Sequence, residues 1–110
     1  MSRGPIPPPE TVATIFWPPP APQIGQSVLY RLSDDDARAI ARQRLGGRSR
    51  PTPARAGDVF PAIVVRASAQ EEDVPCNLQV LLDGPDTYWA RDIRCGTDAG
   101  TWSWPARAGG

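Results

Sequence analysis

Residues 77–91 read Asn-Leu-Gln-Val-Leu-Leu-Asp-Gly-Pro-Asp-Thr-Tyr-Trp-Ala-Arg, two strand-like runs on either side of a turn. Apolar residues recur at every second position of Asn77–Leu82, as in a strand with one buried face. Thr87–Ile93 contains the aromatic residues that strands favour. Pro85 suits the second position of a turn between the two runs. The stretch therefore predicts a β-hairpin.

Centring the turn between Pro85 and Asp86 predicts the register of this hairpin. Leu82, Val80 and Leu78 then lie opposite Trp89, Arg91 and Ile93, and Arg91 is the one residue that does not suit a buried face. The same register places Cys76 opposite Cys95, with β-carbons about 4.5–5.5 Å apart, so the pair is a candidate disulfide. The alternative is two small buried thiols in a reducing cytoplasm.

Three more strands are predicted outside the hairpin. Gln26–Leu32 alternates as a half-buried strand, and Asp58–Arg66 is the strongest strand pattern in the chain. Pro61 lacks an amide hydrogen, which predicts a sheet edge or a strand bend at that position. A last short strand is expected at residues 101–104.

One helix is predicted between the first two strands, over residues 34–45. Ser33 suits its N-cap, and Asp36 three residues later completes a capping box. Ala37, Ile40 and Ala41 form the expected buried face, and the pair Gly46-Gly47 favours a left-handed stop.

Five short strands with one helix after the first predict a mainly β fold, most economically a small SH3-like β-barrel or roll. Gly57-Asp58 ahead of the central strand agrees with such a barrel, and an OB-like barrel is the nearest alternative. The domain is predicted over residues 24–106, with a short tail at 107–110. The length of 110 residues suits a single domain.

Residues 1–23 form a separate, extended arm in this interpretation. Eight of the 14 prolines lie between Pro5 and Pro22, and consecutive prolines favour polyproline II. Between them, Thr11–Trp17 has the composition of a short strand. Its last residues, Ile15, Phe16 and Trp17, are candidate anchors on a neighbouring subunit. The alternatives are a loosely attached tail and a segment that covers the domain's own apolar surface.

Two of the four tryptophans, Trp102 and Trp104, share strand parity and are further interface candidates. A domain of this size has a small core, so not all of its aromatic residues fit there easily. Internal packing of every tryptophan remains the alternative.

Composition argues against an enzyme. The chain contains no histidine and no lysine, which removes the usual general base and the usual Schiff-base nucleophile. We expect no catalytic residues, no cofactor and no metal site. The acidic runs Asp34–Asp36 and Glu71–Asp73 are interpreted as a helix start and a solvated turn.

A zero net charge hides a basic middle segment. Seven arginines and three aspartates lie between Arg31 and Gly57. The basic surface candidates are Arg38, Arg42, Arg48, Arg50 and Arg55. Such a surface could meet nucleic acid phosphates, although clustered arginine is more often a solvated face. No apolar run is long enough to span a bilayer, so no membrane contact is expected.

The motifs resemble short proteins of tailed phages, especially phages of actinobacteria, which carry a hairpin of the form NLQV-LDG-D-YWA and end in GTW-WP. The resemblance covers residues 24–105, and the proline-rich arm is additional to it. Where that family tends to place histidine between the last two tryptophans, this chain has Ser103. The matching stretches here are Gly57–Arg66, Asn77–Val80, Leu82–Gly84, Asp86–Ala90 and Gly100–Pro105.

The resemblance implies a phage structural protein, such as a virion accessory or capsid-decorating subunit. It would be made in the host cytoplasm and incorporated in the virion, docking by its barrel and reaching a neighbour with its arm. Its partners would be other phage structural proteins or further copies of itself. The alternative is an intracellular phage-encoded module that binds nucleic acid or a host protein through the basic surface.

Overall fold

A computed structural model describes residues 21–47, 51–67 and 75–105 of the chain. In this part the protein is mainly β with one helix, as the sequence predicts. The elements in chain order are β1 (Ser27–Arg31), α1 (Asp34–Gln43), β2 (Val59–Arg66), β3 (Cys76–Leu81), β4 (Thr87–Ile93) and β5 (Trp102–Ser103). The predicted anchors Ile15, Phe16 and Trp17 lie outside the described residues.

The five strands form one antiparallel sheet in the order β4-β3-β2-β1-β5. The ladder is not closed within the described residues, because β4 and β5 are its two edges. One parallel bridge, between Cys95 and Trp102, connects the segment after β4 to β5. Two backbone hydrogen bonds support it, from the Trp102 amide to the Arg94 carbonyl (3.0 Å) and from the Gly96 amide to the Trp102 carbonyl (2.9 Å).

One face of the sheet forms the core. Its side chains alternate along each strand with outward ones, as the two-residue period of a strand requires. Leu32, Ile40 and Leu82 add apolar groups from outside the strands. The buried apolar residues are Val28, Tyr30, Leu32, Ile40, Ala62, Val64, Cys76, Leu78, Val80, Leu82, Ala90, Ile93 and Trp102.

The predicted hairpin exists, but its predicted register is wrong. Val80 lies opposite Tyr88 rather than Arg91, a shift of three residues along β4. An odd shift exchanges the two faces of a strand. Tyr88 and Ala90 therefore point inward, whereas Trp89 and Arg91 point outward.

A β-bulge near the end of the hairpin restores the inward direction of Ile93. Leu78 lies opposite Ala90, but Cys76 lies opposite Ile93, so β4 carries one extra residue there. Asp92 in the bulge has a φ of 56°, and its amide donates to Oδ1 of Asn77 at 2.9 Å. The predicted pairing of Cys76 with Cys95 is therefore wrong, and no disulfide joins the two residues.

Pro61 does not lie at a sheet edge, the first of the two positions predicted for it. β2 is the middle strand of the sheet, and Pro61 pairs with Leu29 of β1. The ladder between β2 and β3 starts one residue later, at Ala62 opposite Val80. Pro61 lies beyond the end of that ladder, where its missing amide hydrogen removes no bond to β3.

The helix begins as predicted, with Ser33 as N-cap and both bonds of the capping box to Asp36 present. It ends at Gln43, two residues before the predicted Leu45, which is 80% exposed. Of the predicted buried face, Ile40 is buried and Ala41 is exposed. Asp36, only 7% exposed, is buried instead.

The Asp36 carboxylate joins the helix to two strands. Its Oδ2 accepts hydrogen bonds from the Ser33 amide (2.8 Å) and from the Tyr30 hydroxyl of β1. Its Oδ1 accepts from the Tyr88 hydroxyl of β4 at 2.7 Å. A buried carboxylate with three donors of this kind is satisfied, and it orients the groups that bind it.

Replacing Asp36 by alanine should lower the free energy of unfolding by about 3 kcal/mol or more. It removes the bond from the Ser33 amide to the carboxylate, which is one half of the capping box, and it leaves the buried Tyr30 hydroxyl without its acceptor. Asp35→Ala is the matched control, because the exposed ion pair of Asp35 with Arg38 contributes about 0.5 kcal/mol or less. Urea unfolding measures both, and equal losses would contradict a structural role for Asp36.

Candidate functional site

The side of the sheet opposite the core is the candidate functional site. Odd-numbered residues of β1, of β2 as far as Val64, of β3 and of β4 as far as Arg91 face this side, because the even-numbered residues of these stretches point into the core. Val65, at the register shift between Val64 and Arg66, is also exposed. We call this side the outer face, and it consists of Leu29, Arg31, Val59, Pro61, Ile63, Val65, Gln79, Leu81, Thr87, Trp89 and Arg91.

The outer face is apolar and exposed. Trp89 is 52% exposed, and Val59, Val65 and Leu81 are each exposed by 40% or more. Four of the six exposed large apolar side chains in the described residues therefore lie on this single face. Scattered apolar residues on a surface need no explanation, but a concentration on one face marks an interaction surface.

Strand pairing makes these residues contiguous. Gln79 of β3 lies between Trp89 of β4 and Ile63 of β2, and Pro61 lies beside Leu29 of β1. The side chains therefore form a continuous band across four strands.

Two arginines border this band. The Arg91 guanidinium lies over the Trp89 ring, 5.0 Å from its centroid, as a cation–π pair. Arg31, at the β1 end, donates to the Gly57 carbonyl at 2.9 Å. None of the outward residues of β1, β2 and β3 is acidic, and in β4 the exposed Asp92 follows Arg91. The surface is therefore apolar with charged residues at its border.

A depression of about 180 Å³ extends the outer face toward β5. Leu29, Arg31 and Val59 line it from the sheet, and Ser103 closes it from β5. Its remaining lining residues, Gly96, Thr97 and Thr101, belong to the loop that precedes β5. The depression could receive one side chain of a partner, with hydroxyls and Arg31 at its wall.

The tryptophans occupy different positions from those expected. Trp102 is 3% exposed and belongs to the core, so it offers almost no surface to a partner. Trp104 is half-buried, with its ring edge-on to Trp102 at 5.2 Å between centroids. Of the three tryptophans in the described residues, Trp89, which the predicted register directs inward, is the exposed one. The poor fit of Arg91 to a buried position was the sequence signal against that register.

The predicted basic surface is only partly described. Arg38, Arg42 and Arg55 are exposed, and Arg38 forms an ion pair with Asp35 at 2.7 Å. Arg48 and Arg50 lie outside the described residues.

Arg44, in the same segment, has a structural role. It forms two hydrogen bonds to the Asp86 carboxylate, at 2.9 and 3.2 Å, and a third to the Thr52 carbonyl. These bonds hold the pKa of Asp86 below its ordinary value. The turn is also packed closely, since a β-carbon at Gly84 would lie 2.5 Å from Cβ of Pro51. The helix end and the following loop thus fix the hairpin turn.

Burial raises the pKa values of three ionisable side chains of the core. It raises the pKa of Tyr88 to about 12 and that of Tyr30 further, and the hydrogen bonds to Asp36 act in the same direction. Burial, with a smaller contribution from Cys95, raises the pKa of the Cys76 thiol to about 11. A thiol that stays protonated at neutral pH is a poor nucleophile.

In the described part of the chain, no group of three or more His, Cys, Asp or Glu side chains is placed to hold a metal ion. The one helix found there is too short and too polar to cross a bilayer. No protein-family model, no curated protein and no solved structure matches this chain.

We expect stability to fall steeply above pH 10. In the folded protein the pKa of Tyr88 is raised from 10.0 to about 12, so between these values the unfolded chain releases a proton that the folded one retains. The free energy of unfolding then falls by at most about 1.4 kcal/mol per pH unit for each such tyrosine. Cys76 adds a similar loss from pH 9.0 upward.

Tyr88→Phe should reduce this slope above pH 10 but leave it unchanged below pH 9. Urea unfolding at a series of alkaline pH values measures the slope for both proteins. An identical slope in the variant would show that Tyr88 does not retain its proton in the fold.

Proposed function

We propose that this protein is a phage structural protein, a virion accessory or capsid-decorating subunit that docks on other structural proteins through the outer face. The observation that carries the proposal is the exposed apolar band around Trp89. Tryptophan and arginine are the residues most enriched at interface hot spots, and here Trp89 and Arg91 are stacked together.

The phage resemblance supports this assignment through the same residues. The motif that carries the resemblance includes Asp86–Ala90, and its residues face opposite sides of the sheet. Tyr88 and Ala90 point into the core, whereas Trp89 does not. A core role accounts for the inward residues of the motif, and binding to a partner would account for Trp89.

We propose further that the domain is a small SH3-like barrel. The strand order β4-β3-β2-β1-β5 and the bridge between Cys95 and Trp102 support this, because that bridge brings the end of β4 beside β5. The proline-rich arm at residues 1–23 would reach a neighbouring subunit. Such folds serve many unrelated activities, so the functional argument depends on the outer face and not on the barrel.

The protein should be present in purified phage particles. The substitution Trp89→Ser should abolish binding of the added protein to particles that were prepared without it. Trp89 is exposed, so its loss should lower the free energy of unfolding by only about 0.5–1 kcal/mol, the value of its contact with Arg91. Leu45→Ser is the matched control, since Leu45 is exposed but lies outside the outer face. Co-sedimentation with particles measures binding, and undiminished binding of the Trp89 variant would contradict docking through this face.

Docking through apolar contacts should depend weakly on salt, and we expect no measurable binding to DNA or RNA at physiological salt. Nucleic acid binding through arginines would weaken steeply with salt, because each neutralised phosphate releases counterions. Fluorescence anisotropy with labelled oligonucleotides over a salt series measures the affinity for nucleic acid and its salt dependence. Submicromolar affinity that disappears when Arg48, Arg50 and Arg55 are changed to alanine would favour the nucleic acid module instead.

A further inference from the structure

Strand β4 is an open edge of the sheet. It is the outermost strand beside β3, and no other strand of the described residues pairs with it. Its seven residues include no proline and no lysine, whereas the opposite edge, β5, is only two residues long. Proteins usually shorten or bend an edge strand or place proline or lysine in it, because free amides and carbonyls at an edge can pair with another chain. The bulge bends the end of β4, but the stretch before it is not protected in these ways.

The alternation of hydrogen bonds shows which backbone groups of β4 point away from the sheet. Even-numbered residues connect β1 to β2, as in the bond from the Val64 amide to the Gln26 carbonyl (2.9 Å). Because the bonding direction alternates along a strand, odd-numbered residues connect β2 to β3, and even-numbered residues connect β3 to β4. The even-numbered residues of β4 in this ladder are Tyr88 and Ala90. The amide and carbonyl of Trp89, which lies between them, therefore point away from β3.

A side chain from the helix agrees with this direction. The carbonyl of Thr87, another odd-numbered residue of β4, accepts a hydrogen bond from Nε2 of Gln43 at 2.9 Å. This carbonyl therefore faces a donor from outside the sheet. At the other end of β4, the Asp92 amide in the bulge donates to Oδ1 of Asn77. Between these two positions, the backbone of residues 89–91 is the part of the edge that another strand can reach.

This stretch is complementary to a second copy of itself. In an antiparallel pair centred on Ala90, the backbone groups of Trp89 meet those of the partner's Arg91, and the symmetric pair doubles the contact to four hydrogen bonds. Opposed residues share one side of the sheet, with β-carbons about 4.5–5.5 Å apart. Each Arg91 guanidinium, which already lies over its own Trp89 ring, therefore also lies beside the partner's Trp89.

Other features of the chain favour this pairing. Centring the pair on Trp89 would place Arg91 opposite the partner's Thr87, whose carbonyl Gln43 already holds. Centring it on Ala90 avoids that position. Arg91 is also the one charged residue in residues 87–91, and the whole chain has a net charge of zero. Two copies therefore approach each other without net repulsion, a condition that favours self-association.

We infer that two copies of this protein form a dimer by antiparallel pairing of their β4 strands, centred on Ala90. The pairing joins two five-stranded sheets into one and places both outer faces on the same side of it. The dimer then presents two apolar bands to a partner, with the two Trp89 and two Arg91 side chains at its centre. The inference concerns the isolated protein, so it holds or fails independently of binding to phage particles.

Sedimentation equilibrium of the full-length protein, from micromolar to near-millimolar concentration, tests the inference. The average mass should rise from that of one chain toward that of two. Trp89→Glu places a carboxylate opposite the partner's Arg91, whereas Trp89→Arg places a guanidinium there, so the arginine variant should dimerise about tenfold more weakly than the glutamate variant. Leu81→Glu and Leu81→Arg are the matched controls and should dimerise equally, because Leu81 is exposed on the outer face but belongs to β3.

A wild type that stays monomeric over this range would overturn the inference. Equal dimerisation of the two Trp89 variants would also overturn it, because a contact between outer faces, or a pairing centred on Trp89, does not distinguish the sign of the new charge.

Amide hydrogen exchange of the wild type, followed by NMR, tests the backbone pairing directly. The Trp89 amide should exchange quickly in dilute protein and several-fold more slowly at near-millimolar concentration, where the partner strand covers it. The Ala90 amide is the internal control, because it points toward β3 and should be protected at both concentrations. A Trp89 amide protected in dilute protein would show that the chain covers its own edge. One that exchanges quickly in the dimer would place the contact elsewhere, and either result contradicts the inference.

Discussion

Asp36 is the group on which the remainder of the structure depends. It begins the helix as part of the capping box, and it accepts the hydroxyls of Tyr30 from β1 and Tyr88 from β4. These strands are separated by β3 and β2, about 14 Å across a flat sheet. One carboxylate that accepts both hydroxyls therefore links two strands that are not neighbours in the sheet, and it fixes both of them to the start of the helix.

The same carboxylate decides which side of β4 becomes surface. Because Tyr88 must point inward to reach Asp36, its neighbours Trp89 and Arg91 point outward. The ion pair between Arg44 and Asp86 holds the turn in the matching position. The position of the outer face is thus a consequence of polar contacts elsewhere in the domain, and a change at Asp36 or Asp86 would alter this face although neither residue belongs to it.

Local patterns were sufficient to predict the strands, the helix and its cap. A capping box needs only residues three apart, and the alternation of Leu78, Val80 and Leu82 identifies their buried face without a partner strand. The hairpin register was not predictable in this way. Symmetric pairing about Pro85 treats the turn as isolated, whereas Arg44, Gln43 and Pro51 hold it from distant parts of the chain. Because the predicted register is wrong by three residues, it also directed Trp89 inward and placed the two cysteines opposite each other.

The sequence by itself determined a mainly β chain with one capped helix, because propensity, alternation and capping depend on residues close together in the chain. Tertiary structure alone decided that Trp102 is core and Trp89 is surface, although both are tryptophans in strands. The physical reason is that strand geometry specifies only that neighbours face opposite sides. Which side becomes the interior depends on a long-range contact, here the hydrogen bond from Tyr88 to Asp36, 52 residues apart.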